Sequence, residues 1–301
     1  MKVLVTGGTG LVGSTVHHRS AQVVRVGSQH YDLTQQRSVR QMYEDHRPTH
    51  VIHCAGQVGG IGGNMAAPND FFYKNIMMNT MVIEEARVAG VERLVAFAST
   101  CVFPDEVTYP LRPEKMHLGP PHNSNSAYAY AKRMIEVQID AIRAQHGINY
   151  TMVIPCNIYG PNDRYDETGH VIPSLIRKCY EAKQKGTDFE VWGSGKPLRE
   201  FIYSEDVGVL AREILLNYEG HRPVILSSGT EVSIAEIVGK LVDIIGFRGK
   251  VVYNADRPDG QYRKPSDVSP IRTMFPDFKF TPLDIGLRQA VQWYINEEIG
   301  E

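Results

Sequence analysis

Short apolar runs alternate with segments of helical periodicity through the first half of the chain. The runs suit buried parallel strands, and the segments between them repeat apolar residues every three or four positions. The predicted strands are residues 3–6, 23–26, 50–54, 94–99 and 150–155. The predicted helices are a short one from Leu11 and residues 34–45, 71–89 and 126–146. This alternation predicts an α/β fold, a Rossmann-type doubly wound parallel sheet with right-handed crossovers.

The pattern changes after Pro155, where glycine, proline and short strands such as residues 188–192 and 199–203 become frequent. We therefore predict a nucleotide-binding Rossmann domain over residues 1–160, with a return segment near 198–220. Residues 161–301 are predicted to form a smaller C-terminal α/β substrate-binding domain. Two later helices are predicted from their starts, a capping box at Ser233 and a proline, Pro282, at a first helical position.

Charge and cysteine content exclude several classes of function. The formal net charge of −2 over 301 residues gives no electrostatic reason to expect nucleic acid or a membrane surface. The four cysteines lack Cys-x-x-Cys spacing, so we expect free thiols in a reducing compartment and no metal site. The first residues do not fit the apolar region of a signal peptide and no 18-residue apolar run occurs, so we expect no leader peptide and a cytoplasmic location.

A glycine-rich turn follows the first predicted strand directly. Gly7-Gly8-Thr9-Gly10-Leu11-Val12-Gly13 satisfies two glycine spacings that are typical of dinucleotide binding. Such glycines allow a tight turn and close approach of the backbone to a pyrophosphate, while the next helix points its N-terminus at the negative charge. The position of this turn between a strand and a helix predicts a dinucleotide site.

The end of the second strand bears on the choice between NAD and NADP. An acidic residue there usually binds the adenosine ribose hydroxyls, but none occurs after Ser28 until Asp32. The absence favours NADPH, although Arg25 has no ideal position for a 2′-phosphate. Asp32 has an alternative reading as a cap of the following helix, before Thr34.

A tyrosine and a lysine share one face of the predicted helix at residues 126–146. Tyr128 and Lys132 are four residues apart, whereas Tyr130 belongs to another face. A lysine ammonium beside a phenol lowers the phenol pKa, which makes the tyrosine a usable acid or base. Ser99 and Cys101 lie where the fourth strand ends, so they are candidates for the same site.

This layout resembles the extended short-chain dehydrogenase/reductase superfamily over nearly the whole chain, with Ser99, Tyr128 and Lys132 matching its triad. Further motifs, in order along the chain, are similar to the GDP-L-fucose synthase family. They are Ser99-Thr-Cys-Val-Phe-Pro104, Pro155-Cys-Asn-Ile-Tyr-Gly-Pro161, Gly169-His-Val-Ile-Pro173, Val191-Trp-Gly-Ser-Gly195, Arg199-Glu-Phe201 and Pro258-Asp-Gly260.

The resemblance implies an activity, a cofactor and an oligomeric state. It implies NADPH-dependent 3,5-epimerisation and 4-reduction of GDP-4-keto-6-deoxy-D-mannose, with Cys101 as base and His170 as acid. It also implies a homodimer that pairs the helices predicted at residues 71–89 and 126–146. Met77, Met78 and Met81 suit such an interface, although core packing explains them as well.

The resemblance also implies two sets of binding residues. The cofactor set is Gly7, Gly8, Thr9, Gly10, Leu11, Val12, Gly13, Ser28, Asp32, Leu33, Ala55, Ala98, Tyr128, Lys132, Pro155, Asn157, Ile158 and His170. The substrate set is Ser99, Thr100, Asn157, Lys178, Trp192, Arg199 and Asp259. Three substrate residues also have alternative interpretations. Lys178 could be a solvated helix charge, and Trp192 could fill the core. Arg199 could instead form an ion pair with Glu200 or Asp206.

Other functions stay open at the level of sequence. A nucleotide-sugar 4-epimerase with bound NAD needs neither Cys101 nor His170, which then read as a small core residue and a surface residue. A non-catalytic NADP-binding regulator would not need Tyr128 and Lys132. A 4,6-dehydratase fits less well, because that group resembles Thr-Asp-Glu at the strand end where this chain has Ser99-Thr-Cys101. None of these motifs identifies the nucleotide base of the substrate.

Overall fold

The computed structural model describes residues 1–18, 20–257 and 259–300. Its strands are β1 Lys2–Thr6, β2 Gln22–Val26, β3 His50–His53, β4 Arg93–Phe97, β5 Tyr150–Pro155, β6 Asn157–Tyr159, β7 Phe189–Trp192, β8 Leu198–Tyr203, β9 Val224–Leu226, β10 Glu231–Ser233 and β11 Val251–Asn254. Its α-helices are α1 Gln36–His46, α2 Ile61–Ala66, α3 Pro68–Val88, α4 Ser126–His146, α5 Val171–Lys185, α6 Ser204–Asn217, α7 Ile234–Ile245, α8 Ser269–Met274 and α9 Leu283–Trp293.

A parallel sheet of six strands forms the centre, in the order β2-β1-β3-β4-β5-β9. Apart from the edge strand β2, its strands are buried on both faces, which is why they read as largely apolar runs rather than as alternating patterns. One face packs against α1, α3 and α4, and the opposite face packs against α6 and α8. The fold is therefore a Rossmann-type α/β fold, as the sequence predicted.

A second core lies outside the central sheet. It joins α5, α7 and α9 to a three-stranded sheet, β10-β8-β6, and to the pair β11-β7. The central sheet also takes elements from beyond residue 160, namely β9 and the helix α6 that packs beneath it. The boundary at residue 160 stays a prediction.

Most of the predicted elements are present. β5 and α4 have the predicted bounds, and the capping box at Ser233 forms with Glu236. Pro282 is the N-cap of α9 rather than its first helical residue. The predicted helix from Leu11 is only a 3₁₀ turn, Gly13–Thr15, because β2 begins at Gln22 and leaves no length for a full helix.

The turn at Gly13–Thr15 is fixed by α6, which packs directly against it. Thr15 Oγ1 donates to the Ser204 carbonyl at 3.1 Å, and the Arg212 side chain donates to the His17 carbonyl at 2.8 Å. Gly208 allows this close approach, since a Cβ there would overlap Thr15 Oγ1 and lie 2.9 Å from the Thr15 carbonyl oxygen. The glycine turn of the nucleotide site is thus fixed by a helix about 190 residues away in sequence.

We predict that Gly208→Ala lowers the free energy of unfolding by about 1–3 kcal/mol, because the methyl group overpacks the contact with Thr15. Gly239→Ala is the matched control, since Gly239 lies within α7 with nothing within 4 Å of its Cβ position. That variant should gain about 0.5–1 kcal/mol from helix propensity. Urea unfolding of both proteins measures the difference, and equal stability would contradict the packing account.

Candidate active site

The carboxyl ends of the parallel strands form one edge of the central sheet, and most of the predicted site residues follow these ends. β1 ends at Thr6, β4 at Phe97 and β5 at Pro155. Because the two middle strands, β3 and β4, are neighbours, the segments after them approach one another. Open α/β sheets bind their ligands at this edge.

The glycines after β1 form a cradle with one open side. Gly7 has φ of 65°, in the left-handed region, and a Cβ on Gly8 would lie 2.5 Å from the Arg25 Cβ. A Cβ on Gly13 would overlap the Gly7 carbonyl oxygen, whereas one on Gly10 would meet that oxygen only at 3.5 Å. The open side of Gly10 leaves room for a pyrophosphate against the backbone.

The neighbours of these glycines divide between solvent and core. Thr9 is exposed, while Leu11 and Val12 pack into the core beneath α6. The Thr9 side chain is therefore accessible to a ligand, whereas the Leu11 and Val12 side chains serve mainly in packing.

The segment after β2 differs from a typical NAD site. Asp32 Oδ1 accepts from Thr34 N–H at 2.9 Å and from Thr34 Oγ1–H at 2.6 Å, and these bonds lower the pKa of Asp32. The Asp32 carboxylate thus stabilises the turn at Thr34 and does not cap α1, whose N-cap is Gln35, so the alternative reading as a helix cap is wrong. The Arg25 side chain is held by the Gly13 and Val16 carbonyls. Ser28 is exposed and Leu33 is buried.

Ser99 and Cys101 lie in a tight turn beyond β4. Ser99 caps the 3₁₀ helix Thr100–Val102, and its Oγ accepts from Cys101 N–H at 3.4 Å. Arg133 of α4 holds the turn by donating to the Val102 carbonyl at 2.5 Å. Ser99 and Cys101 are partly exposed, whereas Thr100 and Ala98 are buried. Two reactive side chains are thus available on a turn whose backbone is fixed.

Tyr128 and Lys132 lie on the buried face of α4, and Tyr130 is 41% exposed on another face, as predicted. Burial raises the pKa of Tyr128, and the nearby Cys101 raises it further. The Lys132 ammonium donates to the Phe97 carbonyl at 3.0 Å instead of interacting with the phenol. The lowered phenol pKa predicted from the sequence is therefore wrong in this structure, because burial outweighs any effect of Lys132.

The Lys132 ammonium has an unusual environment. Burial lowers the pKa of Lys132 to about 8, opposed by Cys54 at the end of β3. The loop after Cys54, which includes the partly buried Ala55, is held by Asn75 of α3. Asn75 Oδ1 accepts from Gln57 N–H at 3.1 Å, and its Nδ2 donates to the Gln57 carbonyl at 2.9 Å. Asn75 thus positions the loop that faces Lys132.

Asn157 marks the start of the second sheet. Its Nδ2 donates to the Glu200 carbonyl at 2.8 Å, which ties β6 to β8. Asn157 is exposed, Ile158 is partly buried and Pro155 is buried at the end of β5. This junction connects the edge of the central sheet to the β8 segment that carries Arg199.

His170 precedes α5 and is paired with a carboxylate that the sequence analysis missed. Its Nδ1 lies 3.3 Å from Oδ1 of Asp163. Burial lowers the pKa of His170, but the hydrogen bond and the charge of Asp163 outweigh it, so the net pKa is raised. The raised pKa favours the imidazolium form of His170, which is the form that can act as an acid.

Trp192 is half exposed, so it is not core filler. Two cations lie against its ring, the Lys178 ammonium at 4.0 Å from the ring centroid and the Arg257 guanidinium at 4.8 Å. Burial lowers the pKa of Lys178, and Arg257 is among the charges that lower it further. Two mutually repelling cations beside an aromatic ring suit a ligand that combines negative charge with a planar ring.

Asp259 and Arg199 lie on the same side of the site. Asp259 accepts from Ser194 N–H and from Ser194 Oγ–H, both at 2.7 Å, while Pro258 of the same motif lies outside the described residues. Arg199 donates to the carbonyls of Leu198, Tyr262 and Asp259 rather than to a carboxylate. The alternative reading as a partner of Glu200 or Asp206 is therefore wrong.

Arg199 brings positive charge toward the Cys101 turn. Burial lowers the pKa of Arg199, while Tyr109, Asp259 and Cys101 act in the opposite direction. The Arg199 guanidinium thus interacts electrostatically both with Asp259 on the substrate side and with Cys101 after β4.

Among the residues that the structure describes, no group of three or more His, Cys, Asp or Glu could hold a metal ion. No helix among them is both long enough and apolar enough to span a bilayer.

Comparison with known proteins identifies the family of this chain. Residues 3–225 match the NAD dependent epimerase/dehydratase family. The chain is 42% identical to a GDP-L-fucose synthase of Dictyostelium discoideum, over 98% of this chain and 95% of that protein. It is 30% identical to the Escherichia coli GDP-L-fucose synthase, over 99% and 97%. This protein belongs to the GDP-L-fucose synthase family.

Solved structures agree with that membership. An NADP-bound GDP-L-fucose synthetase from Naegleria fowleri superposes with a TM-score of 0.94 at 39% identity, over 99% of this chain and 94% of the other. A UDP-glucose 4-epimerase from Thermus thermophilus has a TM-score of 0.81 at 22% identity, over 99% and 100%, which shows the shared fold alone.

The structure adds residues to the site of this family member that sequence patterns did not select. They are Asp163 beside His170, Arg257 beside Trp192, Ser194 beside Asp259 and Asn75 beside the loop at Gln57. Asp163, Ser194 and Arg257 lie in loops, where no periodicity marks a side chain that points inward. Asn75 alone carried a signal, since it is a polar residue on the buried face of a predicted helix.

Proposed function

We propose that this protein converts GDP-4-keto-6-deoxy-D-mannose to GDP-L-fucose, by epimerisation at C3 and C5 and NADPH-dependent reduction at C4. Membership of the GDP-L-fucose synthase family supports the activity, and the NADP-bound relative supports the cofactor. The single observation that supports the proposal most is the combination of a strand-end Cys101 with a carboxylate-paired His170. A plain 4-epimerase needs neither group.

The residues present fit a dinucleotide cofactor. The open side of Gly10 would hold the pyrophosphate, and Tyr128 and Lys132 would meet the nicotinamide ribose. When bound, NADPH supplies the hydride that reduces a ketone. The chain itself supplies the proton, because the Tyr128 hydroxyl is kept protonated by burial until an oxyanion develops beside it.

Epimerisation depends on the acidity of carbons next to the C4 ketone. In the proposed mechanism, the Cys101 thiolate removes a proton from C3 or C5 of the sugar. The electron pair of the broken C–H bond moves into the C4 carbonyl and gives an enolate. Ser99 and Tyr128 donate hydrogen bonds to the enolate oxygen. Arg199 adds positive charge on the Cys101 side of the site.

Inversion requires that the proton returns to the opposite face of the ring. We assign this step to His170, whose imidazolium gives a proton to the carbanion carbon and becomes neutral. A second round at the other carbon completes the epimerisation, with the thiol and the imidazole exchanging protons with solvent between rounds. Reduction then uses Tyr128 to protonate the C4 oxygen.

The substrate side of the proposal rests on charge and shape. Lys178 and Arg199 suit the diphosphate, Trp192 offers a ring for stacking, and Asp259 lies beside them as a hydrogen-bond acceptor. The guanine base is inferred from family membership, since its recognition is not marked by any one of these groups.

The test of the function is isotopic. With GDP-4-keto-6-deoxymannose and NADPH in deuterated water, the product should carry deuterium at both C3 and C5. Cys101→Ala should lower the rate of incorporation about 10²–10⁴-fold, as expected for loss of a catalytic base. Cys179→Ala, a buried cysteine of α5 in the second core, is the matched control and should incorporate deuterium at the wild-type rate. NADPH consumption without deuterium in the product would exclude the epimerase role.

We also propose a homodimer formed by α3 and α4. Exposed apolar side chains follow one stripe of α4, and α3, which packs beside it, also exposes Tyr73 and Val88. The α4 stripe consists of Tyr130, Met134 and Val137. Two helices per protomer, paired face to face, would bury this stripe in a four-helix bundle.

Light scattering at micromolar concentration should give twice the chain mass for the wild type. Met134→Arg combined with Val137→Arg should give the monomer mass, because two buried charges oppose the interface. Ile285→Arg is the control, since Ile285 is an exposed apolar residue on α9. A wild-type monomer would contradict the dimer.

A cytoplasmic location is part of the same proposal. All four cysteines are free thiols in this structure, as expected in a reducing compartment. NADPH-dependent reduction also requires a compartment in which that cofactor is supplied.

A further inference from the structure

Asp163 is a buried carboxylate with an incomplete set of partners. Its side chain is 3% exposed, and Oδ1 accepts from Arg164 N–H at 2.8 Å as well as lying 3.3 Å from His170 Nδ1. Its Oδ2 is buried without a hydrogen-bond partner among the described residues. A buried carboxylate in this condition costs stability, so a role in the site explains its presence better than a role in folding.

The pairing decides which ring nitrogen of His170 is available. Because Nδ1 faces Asp163, Nε2 is the nitrogen left to meet a ligand. The His170 side chain is 41% exposed, so a ligand can reach the ring. The arrangement corresponds to the general rule that a carboxylate on one imidazole nitrogen fixes the ring for proton transfer at the other.

The loop that carries Asp163 is braced at several points. Asn162 adopts φ of 62°, and its Nδ2 donates to Ser14 Oγ at 3.4 Å. A Cβ on Gly169 would overlap the Arg164 carbonyl oxygen, so the loop closes tightly on itself. Gly60 N–H donates to the Thr168 carbonyl at 2.8 Å, which ties the loop to the segment after β3. These contacts hold Asp163 and His170 at a fixed separation.

Two charged groups act on His170, Asp163 and Arg164. Arg164 opposes Asp163, but its guanidinium turns toward the Val58 carbonyl and Asp166. The segment packed against the loop, residues 57–60, carries no ionisable side chain. Asp163 is thus the group that favours the imidazolium form of His170.

We propose that Asp163 is the positioning residue of His170, holding the ring through Nδ1 so that Nε2 returns the proton to the substrate carbon during epimerisation. This inference rests on the proposed function, in which His170 is the acid. Asp163 itself touches neither substrate nor cofactor in this assignment.

The test isolates epimerisation from reduction. Substrate is incubated in deuterated buffer with NADP⁺ in place of NADPH, and deuterium at C3 and C5 is followed across pH. Asp163→Asn should slow exchange about tenfold to a hundredfold at pH 8. The alkaline limb of its pH profile should move down by about one unit, because loss of the neighbouring negative charge lowers the His170 pKa and the imidazolium is lost earlier.

Glu167→Gln is the matched control, since it removes one negative charge from an exposed position of the same loop. It should keep the wild-type rate and profile. Calorimetric titration with NADP⁺ should give the wild-type affinity for Asp163→Asn, and thermal unfolding should give a midpoint no lower than that of the wild type, because the variant removes a buried charge. Equal slowing in Asp163→Asn and Glu167→Gln, or an unchanged profile in Asp163→Asn, would overturn the proposal.

His170→Asn separates this proposal from the function on which it rests. Loss of exchange in His170→Asn with normal exchange in Asp163→Asn would overturn only the Asp163 assignment. Normal exchange in His170→Asn would contradict the acid role of His170 and the Asp163 assignment with it.

A measurement on the unmodified enzyme applies even if Asp163→Asn does not fold. The NMR titration of the His170 imidazole, assigned by its disappearance in His170→Asn, should have a midpoint above the free-imidazole value of about 6.5. A midpoint at or below that value would overturn the proposal.

Discussion

The buried ammonium of Lys132 is the interaction on which the arrangement of the site depends. It lies on α4, donates to the Phe97 carbonyl at the end of β4, and interacts electrostatically with Cys54, the residue after β3. No carboxylate forms an ion pair with it among the described residues. A charge buried in this way is costly, and the lowered pKa of Lys132 reflects that cost.

The Lys132 bond to the Phe97 carbonyl and the Arg133 bond to the Val102 carbonyl both hold α4 against the sheet edge. Tyr128, one turn before Lys132 on the same face, lies beside the turn that carries Ser99 and Cys101. The opposite side of the site is built differently. There the second core supplies His170 at the start of α5 and Arg199 on β8, so the two sides belong to separately packed units.

Those parts of the fold and site that follow periodic rules could be predicted from sequence. The i, i+4 spacing of Tyr128 and Lys132 places both on one helix face, and apolar runs locate β5 and most other strands. The segment after the glycine turn was predicted as a short helix but is only a 3₁₀ turn, because β2 begins at Gln22, and its contact with the distant α6 through Thr15 has no signal in the sequence. Asp163 and Arg257 could not be predicted as site residues, because they lie in loops that have no periodic pattern. Only the folded chain brings Asp163 beside His170 and Arg257 beside Trp192.

The central claim is that two proton-carrying side chains face one sugar ring from opposite sides. A crystal structure with NADP⁺ and GDP-L-fucose bound tests it most directly. The account predicts Cys101 Sγ and His170 Nε2 on opposite faces of the ring, each within about 4 Å of C3 or C5, with Tyr128 Oη within hydrogen-bond distance of O4. A complex with both groups on the same face, or with either side chain turned away from the ring, would contradict the account.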